Sequence, residues 1–154
     1  MLINIYTDGS ARGNPGPGGY GIVLQYGKHR KELSAGYRNT TNNRMELLAV
    51  IRALETLKVN SISVVVHTDS KYVCDAVEKG WLFNWNRTNF KGKKNADLWR
   101  LFLALYNNFT ISFKWIKGHA GHKENERCDQ LATNAADDTT NWLIDEGYES
   151  GLYN

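Results

Sequence analysis

The chain has 154 residues, 42% of them hydrophobic and 23% charged, which suits one soluble globular domain and excludes disordered or collagen-like chains. No apolar stretch approaches a membrane span, and Met1-Leu2-Ile3-Asn4 opens without the basic and apolar regions of a signal peptide. The net charge of +3 is uneven: all 19 bases lie at or before Arg127 and five of the 16 acids lie beyond residue 136, so the body carries +8 and suits a polyanionic partner.

In chain order, residues 3–10 read as a strand of β-prone residues ending in Asp8 and Gly9. A loop rich in glycine and both prolines follows to Gly19. It is not a phosphate-binding P-loop, since no Gly-Lys-Ser/Thr follows. A backbone this bare can come close to a ligand. Residues 20–26 and 31–37 read as a hairpin around Gly27, giving three consecutive antiparallel strands. Leu47, Val50, Ile51, Leu54 and Leu57 recur at helical spacing. Ahead of them, Asn43 and Glu46 fit an N-cap and its N3 partner, although Glu46 can also point past the helix end into a site.

The run 61–70 repeats the opening construction, with a β-branched strand ending in Thr68-Asp69. Coming after a helix, this strand can lie parallel to the first through a right-handed crossover. Acids at strand ends, Asp8 and Asp69, could then share one ion, for ligand sites gather at the carboxyl ends of such strands. Alone, each acid fits turn or cap chemistry equally well, and residues 70–77 form a short helix that Asp69 or Ser70 could cap.

Residues 80–94 carry Trp81, Phe83, Trp85 and Phe90 among Arg87, Lys91, Lys93 and Lys94, with no acid. Flat faces beside cations suit a nucleic-acid strand, and a helix with buried tryptophans and a solvated basic loop fits as well. Residues 95–106 read as a helix with Leu98, Leu101, Phe102 and Leu105 on its core face. Ile111, Phe113 and Trp115 alternate as a fifth strand. The glycine-flanked His119 suits proton transfer, and no second pair of ligands makes His119 and His122 a zinc site. The last helix, about 124–137, buries a stripe of Cys128, Leu131, Ala132 and Ala135 and carries Asp129. Cys74 and Cys128 read as reduced, buried thiols of a cytoplasmic protein. Residues 138–154 show no periodicity and are expected to form a loosely attached acidic tail behind a domain of residues 1–137.

Four acids at structured positions, without a thiolate or imidazole cluster, suit a hard cation such as Mg²⁺ or Mn²⁺. With the basic, aromatic flank they point to metal-dependent phosphodiester hydrolysis. The stretches Tyr-Thr-Asp-Gly-Ser (6–10), Gly-Asn-Pro-Gly-Pro-Gly-Gly-Tyr-Gly (13–21), Thr-Thr-Asn-Asn-Arg-Met-Glu-Leu (40–47), Thr-Asp-Ser (68–70), Gly-His-Ala-Gly-His (118–122) and Asn-Glu-Arg-Cys-Asp (125–129) closely resemble those of the bacterial type 1 ribonucleases H.

The resemblance implies an α/β ribonuclease H-like fold, a five-stranded mixed sheet of order 3-2-1-4-5 flanked by helices. It implies cleavage of the RNA strand of RNA–DNA hybrids, as in primer and R-loop removal, leaving 5′-phosphate and 3′-hydroxyl ends. A hybrid-binding module, or another nuclease of the fold, is the alternative. Matched residue by residue, Asp8, Glu46, Asp69 and Asp129 are the metal-binding carboxylates, for two Mg²⁺ with substrate bound or Mn²⁺ in their place, and His119 is the mobile histidine. Asn14 and Asn42 match minor-groove contacts, Thr41 and Asn84 a DNA-phosphate pocket, and Trp81 and Trp85 the protrusion that grips DNA, to which Lys91, Lys93 and Lys94 add charge. A monomer is expected. This chain has Asn39 where many relatives have arginine in the phosphate pocket.

Overall fold

The computed structural model describes residues 2–58, 62–117 and 121–154. Its strands are β1 (Leu2–Ala11), β2 (Gly16–Tyr26), β3 (His29–Thr40), β4 (Ser63–Thr68) and β5 (Thr110–Trp115). They form one sheet of order β3-β2-β1-β4-β5, as the resemblance implies. The first three strands run antiparallel, and β1, β4 and β5 are parallel. The helices are α1 (Asn42–Thr56), α2 (Lys71–Glu78), α3 (Trp81–Arg87), α4 (Ala96–Tyr106), α5 (Lys123–Asp137) and the single turn α6 (Glu146–Glu149).

Alternation in β1 divides the molecule into two layers. Ile3 and Ile5 face the main core with α1 and α4, where Trp99, Phe102, Leu47 and Ile51 are fully buried. Asn4, Tyr6 and Asp8 face α5, whose Cys128 Sγ donates to the Tyr6 carbonyl at 3.3 Å. The buried positions of α5 are Asn125, Cys128, Ala132 and Ala136, so the stripe turns slightly from the one expected. Leu101 also departs from expectation, being 46% exposed, and Trp99 takes its place in the core.

The glycine-rich loop is shorter than its composition predicts. Pairing continues from Asp8↔Gly21 to Ala11↔Gly18, so most of the segment is ladder. The glycines serve packing: a Cβ on Gly19 would strike the carbonyl of Ala132, and α5 could not lie so close to the sheet.

The end of the chain is bound to the body, and the expected loose attachment does not hold. Leu143 bridges to Tyr37 at the edge of the sheet, with hydrogen bonds Leu143 N to Gly36 O (2.8 Å) and Arg38 N to Leu143 O (3.0 Å). Its main anchor is Arg44 on α1, only 1% exposed. Arg44 Nε and Nη2 donate to Asp145 at 2.8 and 2.9 Å. Nη1 and Nη2 donate to Asp97 at 2.9 and 2.8 Å, and Nη1 donates to Asn95 Oδ1 at 3.3 Å. All five guanidinium N–H groups are thus used, which is what a buried arginine requires. Burial would raise the Asp145 carboxyl, but hydrogen bonds from Arg44 and Thr40 outweigh it and hold the pKa below the ordinary value. Backbone bonds and a few polar side chains make this attachment, so no periodicity marked it.

Asp145→Ala leaves Arg44 buried with two donors unpaired and is expected to destabilise the protein by about 3 kcal/mol. Arg38→Ala, which removes only the exposed pair with Glu149, should cost far less. Urea unfolding of the two variants distinguishes an anchored end from a loose one, for which both changes would be small.

Candidate active site

Asp8 and Asp69 are brought together by strand pairing. The parallel register sets Tyr6 opposite His67, so two residues further on both chains present an acid at the same end of the sheet. Trp115 Nε1 donates to the Asp69 carbonyl at 3.0 Å and fixes the turn beyond β4. The α2 cap is Ser70, which accepts from Val73 N at 3.2 Å and leaves the Asp69 carboxylate free.

Glu46 arrives from α1. The N-cap of that helix is Thr41, accepting from Arg44 N, so the capping pair Asn43–Glu46 does not form. Glu46 Oε1 instead accepts from Gly9 N, reaching over β1. Gly9 has to be glycine, since a Cβ there would overlap the backbone of Met45 and Glu46. The result is a group in which Asp8, Glu46 and Asp69 each offer an oxygen, all within 4.8 Å of one another. Asp129 on α5 lines the same cavity of about 380 Å³, with Ser10, Asn42, Asn43, Lys71 and Tyr72.

The electrostatics follow from crowding. Asp8 and Glu46 are 7% and 6% exposed. Burial first, and then the Asp69 charge, pushes the Asp8 carboxyl up to about 8. Burial, followed by the charges of Asp8 and Asp69, raises Glu46 well above its ordinary value. Three hard oxygen donors, two of them, Asp8 and Glu46, with raised proton affinity, can hold a divalent cation, which would take the place of the retained protons.

A second cavity of about 570 Å³ adjoins the first, for Asn43 and Tyr72 line both. Its walls include Asn14, Thr41, Trp81, Trp85, Lys93 and Lys94. Trp81 is 43% exposed, and the Lys93 ammonium lies 5.3 Å from the centroid of the Trp85 ring. An acidic cleft thus opens onto an aromatic and basic groove.

The RNase H family model matches residues 2–137. The chain belongs to the RNase H family. Ribonuclease H of Desulforamulus reducens is 57% identical over 139 residues, covering 87% of each chain. That of Erwinia tasmaniensis is 52% identical over 153 residues, covering 96% of each. Among solved structures, LC9-RNase H1 superposes with a TM-score of 0.81 at 32% identity, covering 99% of this chain and 81% of its own. LC11-RNase H1 in complex with an RNA/DNA hybrid gives 0.71 at 30% identity, covering 90% of this chain and 99% of its own.

The expected site residues fall into three groups. Asp8, Glu46, Asp69 and Asp129 share the acidic cavity, with Asn42 at its edge. Asn14, Thr41, Trp81, Trp85, Lys93 and Lys94 line the groove. Asn84 and Lys91 are exposed outside both cavities, Asn84 taking a hydrogen bond from Arg87. His119 lies outside the described residues. Sequence reasoning passed over Ser10, whose hydroxyl is buried without a partner beside the acids. It also passed over Tyr72, Tyr148 and Tyr153, which line the groove. Tyr72 follows Asp69 by three positions, a usable signal; the other two stand in the segment read as loose.

The crowding has a measurable sign. The Asp8 carboxyl sits at about 8 in the fold against 3.8 when unperturbed. Between those values the unfolded chain binds fewer protons at this group than the folded one, so the carboxyl's contribution to stability is full below about pH 4 and is lost as pH rises towards 8. In EDTA, urea midpoints should therefore drop from pH 5 to pH 8. Asp8→Asn should flatten that decline and stabilise the metal-free protein by about 1 kcal/mol at pH 8.

Proposed function

We propose that this ribonuclease H cuts the RNA strand of RNA–DNA hybrids at internal positions, with Asp8, Glu46, Asp69 and Asp129 holding two divalent cations. Mg²⁺ is the natural occupant and Mn²⁺ a substitute, since all four ligands are hard carboxylates. The observation that carries the reading is the convergence of Asp8, Glu46 and Asp69 at the mouth of the aromatic, basic groove. When bound, the cations supply charge stabilisation at the scissile phosphate and a more acidic water nucleophile.

The chain's own residues bind and orient. Trp81 and Trp85 offer flat faces to one strand, and Lys93 and Lys94 meet its phosphates. Thr41 and Asn84 hold a further phosphate. Asn14 Oδ1 accepts from Asn42 N at 3.1 Å, and Asn42 Oδ1 accepts from Ala11 N at 2.9 Å. With both oxygens engaged, the two carboxamides turn their NH₂ groups to acceptors in the minor groove. In the reaction the water oxygen bonds to phosphorus and the bond to the RNA 3′-oxygen breaks. The products carry 5′-phosphate and 3′-hydroxyl ends. His119 moves the proton between water, product and solvent. The RNA 2′-hydroxyl is the group recognised, and it takes no part in the attack. The enzyme acts as a cytoplasmic monomer; among the described residues no helix is long and apolar enough to cross a membrane.

Cleavage of RNA–DNA, RNA–RNA and DNA–DNA duplexes in Mg²⁺ tests the reading. Only the RNA of the hybrid should be cut, and equal cutting of the other duplexes would sink it. Asp8→Asn should lower kcat by about a thousandfold or more while hybrid binding persists. Changing Lys91, Lys93 and Lys94 together to Ala should raise KM with kcat little changed. The log–log salt slope should flatten by about one unit for each phosphate that is no longer neutralised; an unchanged slope would assign these lysines to solvent.

A further inference from the structure

Ser10 follows Asp8 by two positions on β1, so both side chains leave the same face of the sheet. That face meets α5. Gly19, directly opposite Ser10 in the ladder, lies so near the helix that a Cβ there would strike Ala132 O and Ala136 N. Asp129, Ala132 and Ala136 stand at i, i+3 and i+7 on α5 and share one side of it. Ser10 therefore faces the stretch of helix that carries Asp129, and Asp8, Ser10 and Asp129 line one cavity.

The Ser10 hydroxyl is shut away from solvent and, among the described residues, has no hydrogen-bond partner. Such a group costs free energy and is rare in folded proteins. An alanine would fill the same place without that cost, so the fold gives no reason for the hydroxyl. The acids beside it are unequally supported. Gly9 N donates to Asp8 and to Glu46. Among the described residues no N–H meets the Asp129 carboxylate, and Thr133, one turn further on, gives its hydroxyl to the Asp129 carbonyl. A carboxylate that binds a cation is ordinarily held by a hydrogen bond of its own, which fixes how it presents its oxygens. A serine hydroxyl rotates to suit its acceptor, and its bond to an ionised carboxylate is charge-assisted.

We propose that the Ser10 hydroxyl donates to the Asp129 carboxylate when that carboxylate holds a divalent cation, and so sets its orientation. The proposal rests on the cation-binding role given to the four acids above. Ser10 is a positioning residue: it acts through Asp129 and meets neither substrate nor cation. Its hydroxyl, idle in the metal-free fold, gains an acceptor as Asp129 turns to the cation.

The test titrates Mn²⁺ calorimetrically into metal-free wild type, Ser10→Ala, Asp129→Asn and the double variant, without substrate, and unfolds each protein with urea in EDTA. Ser10→Ala should weaken Mn²⁺ binding about tenfold. Its urea midpoint in EDTA should equal or exceed that of wild type, because the change removes an unpaired buried hydroxyl. In Asp129→Asn the remaining binding rests on Asp8, Glu46 and Asp69, and adding Ser10→Ala should alter it by less than about twofold. An unchanged affinity for Ser10→Ala overturns the proposal. So does an equal loss of affinity with and without Asp129, since the hydroxyl would then act through some other group. A lowered midpoint for Ser10→Ala in EDTA overturns it as well, for it would give the hydroxyl a partner in the metal-free fold. If the wild type binds no Mn²⁺, the cation-binding role of the four acids falls, and this proposal with it.

Discussion

Oxygens of Asp8, Glu46 and Asp69 are held within 4.8 Å of one another. Two ionised carboxylates about 4 Å apart repel by on the order of 4 kcal/mol at an effective dielectric near 20. No short segment could keep three acids so close. Each comes from a different element, and each element is held by something other than the site. The parallel ladder of β1 and β4 fixes Asp8 against Asp69, and the packing of α1 over Gly9 fixes Glu46. The sheet and its core supply the rigidity, and retained protons relieve the repulsion until a cation replaces them.

Much of the fold was legible because alternation and helical spacing are local. The hairpin and the acids at the ends of β1 and β4 follow from such patterns, whereas the strand order came from the family resemblance. What escaped depends on residues distant in sequence. The glycines of residues 9–19 read as a loop because composition cannot tell a flexible backbone from one that a helix must approach; Gly19 faces Ala132 across more than a hundred residues. Glu46 had the spacing of a capping partner, yet the cap had already been taken by Thr41. Asp145 carried no pattern at all, since it works through hydrogen bonds to Thr40 and Arg44, about a hundred residues earlier in the chain.

Arg44 connects Asp145 to the body of the fold. One guanidinium closes the body on the end of the chain through Asp145, anchors α4 through Asp97 and orients Asn95 beneath the groove. Tyr148 and Tyr153, stacked with ring centroids 4.8 Å apart, then stand in the groove wall. Residues 138–154 lie beyond the stretch that matches the family model, residues 2–137, yet Tyr148 and Tyr153 complete the wall of the groove.

The saturation of Arg44 also sets an order of events during synthesis. Its closing partner, Asp145, lies 101 residues further along the chain. At about 5–20 residues per second, Arg44 leaves the ribosome roughly 5–20 s before Asp145 does. Through that interval two of the five guanidinium hydrogen bonds cannot form, and burying the group would strand a charge. Helix α1, the centre of the core, has reason to stay wet until the last turn of the chain has emerged. Nascent chains followed by linkers of increasing length, arrested with Asp145 inside or outside the tunnel, would display this directly, with protease resistance of α1 arriving only once Asp145 is free of the tunnel; resistance with the shorter linkers would refute it.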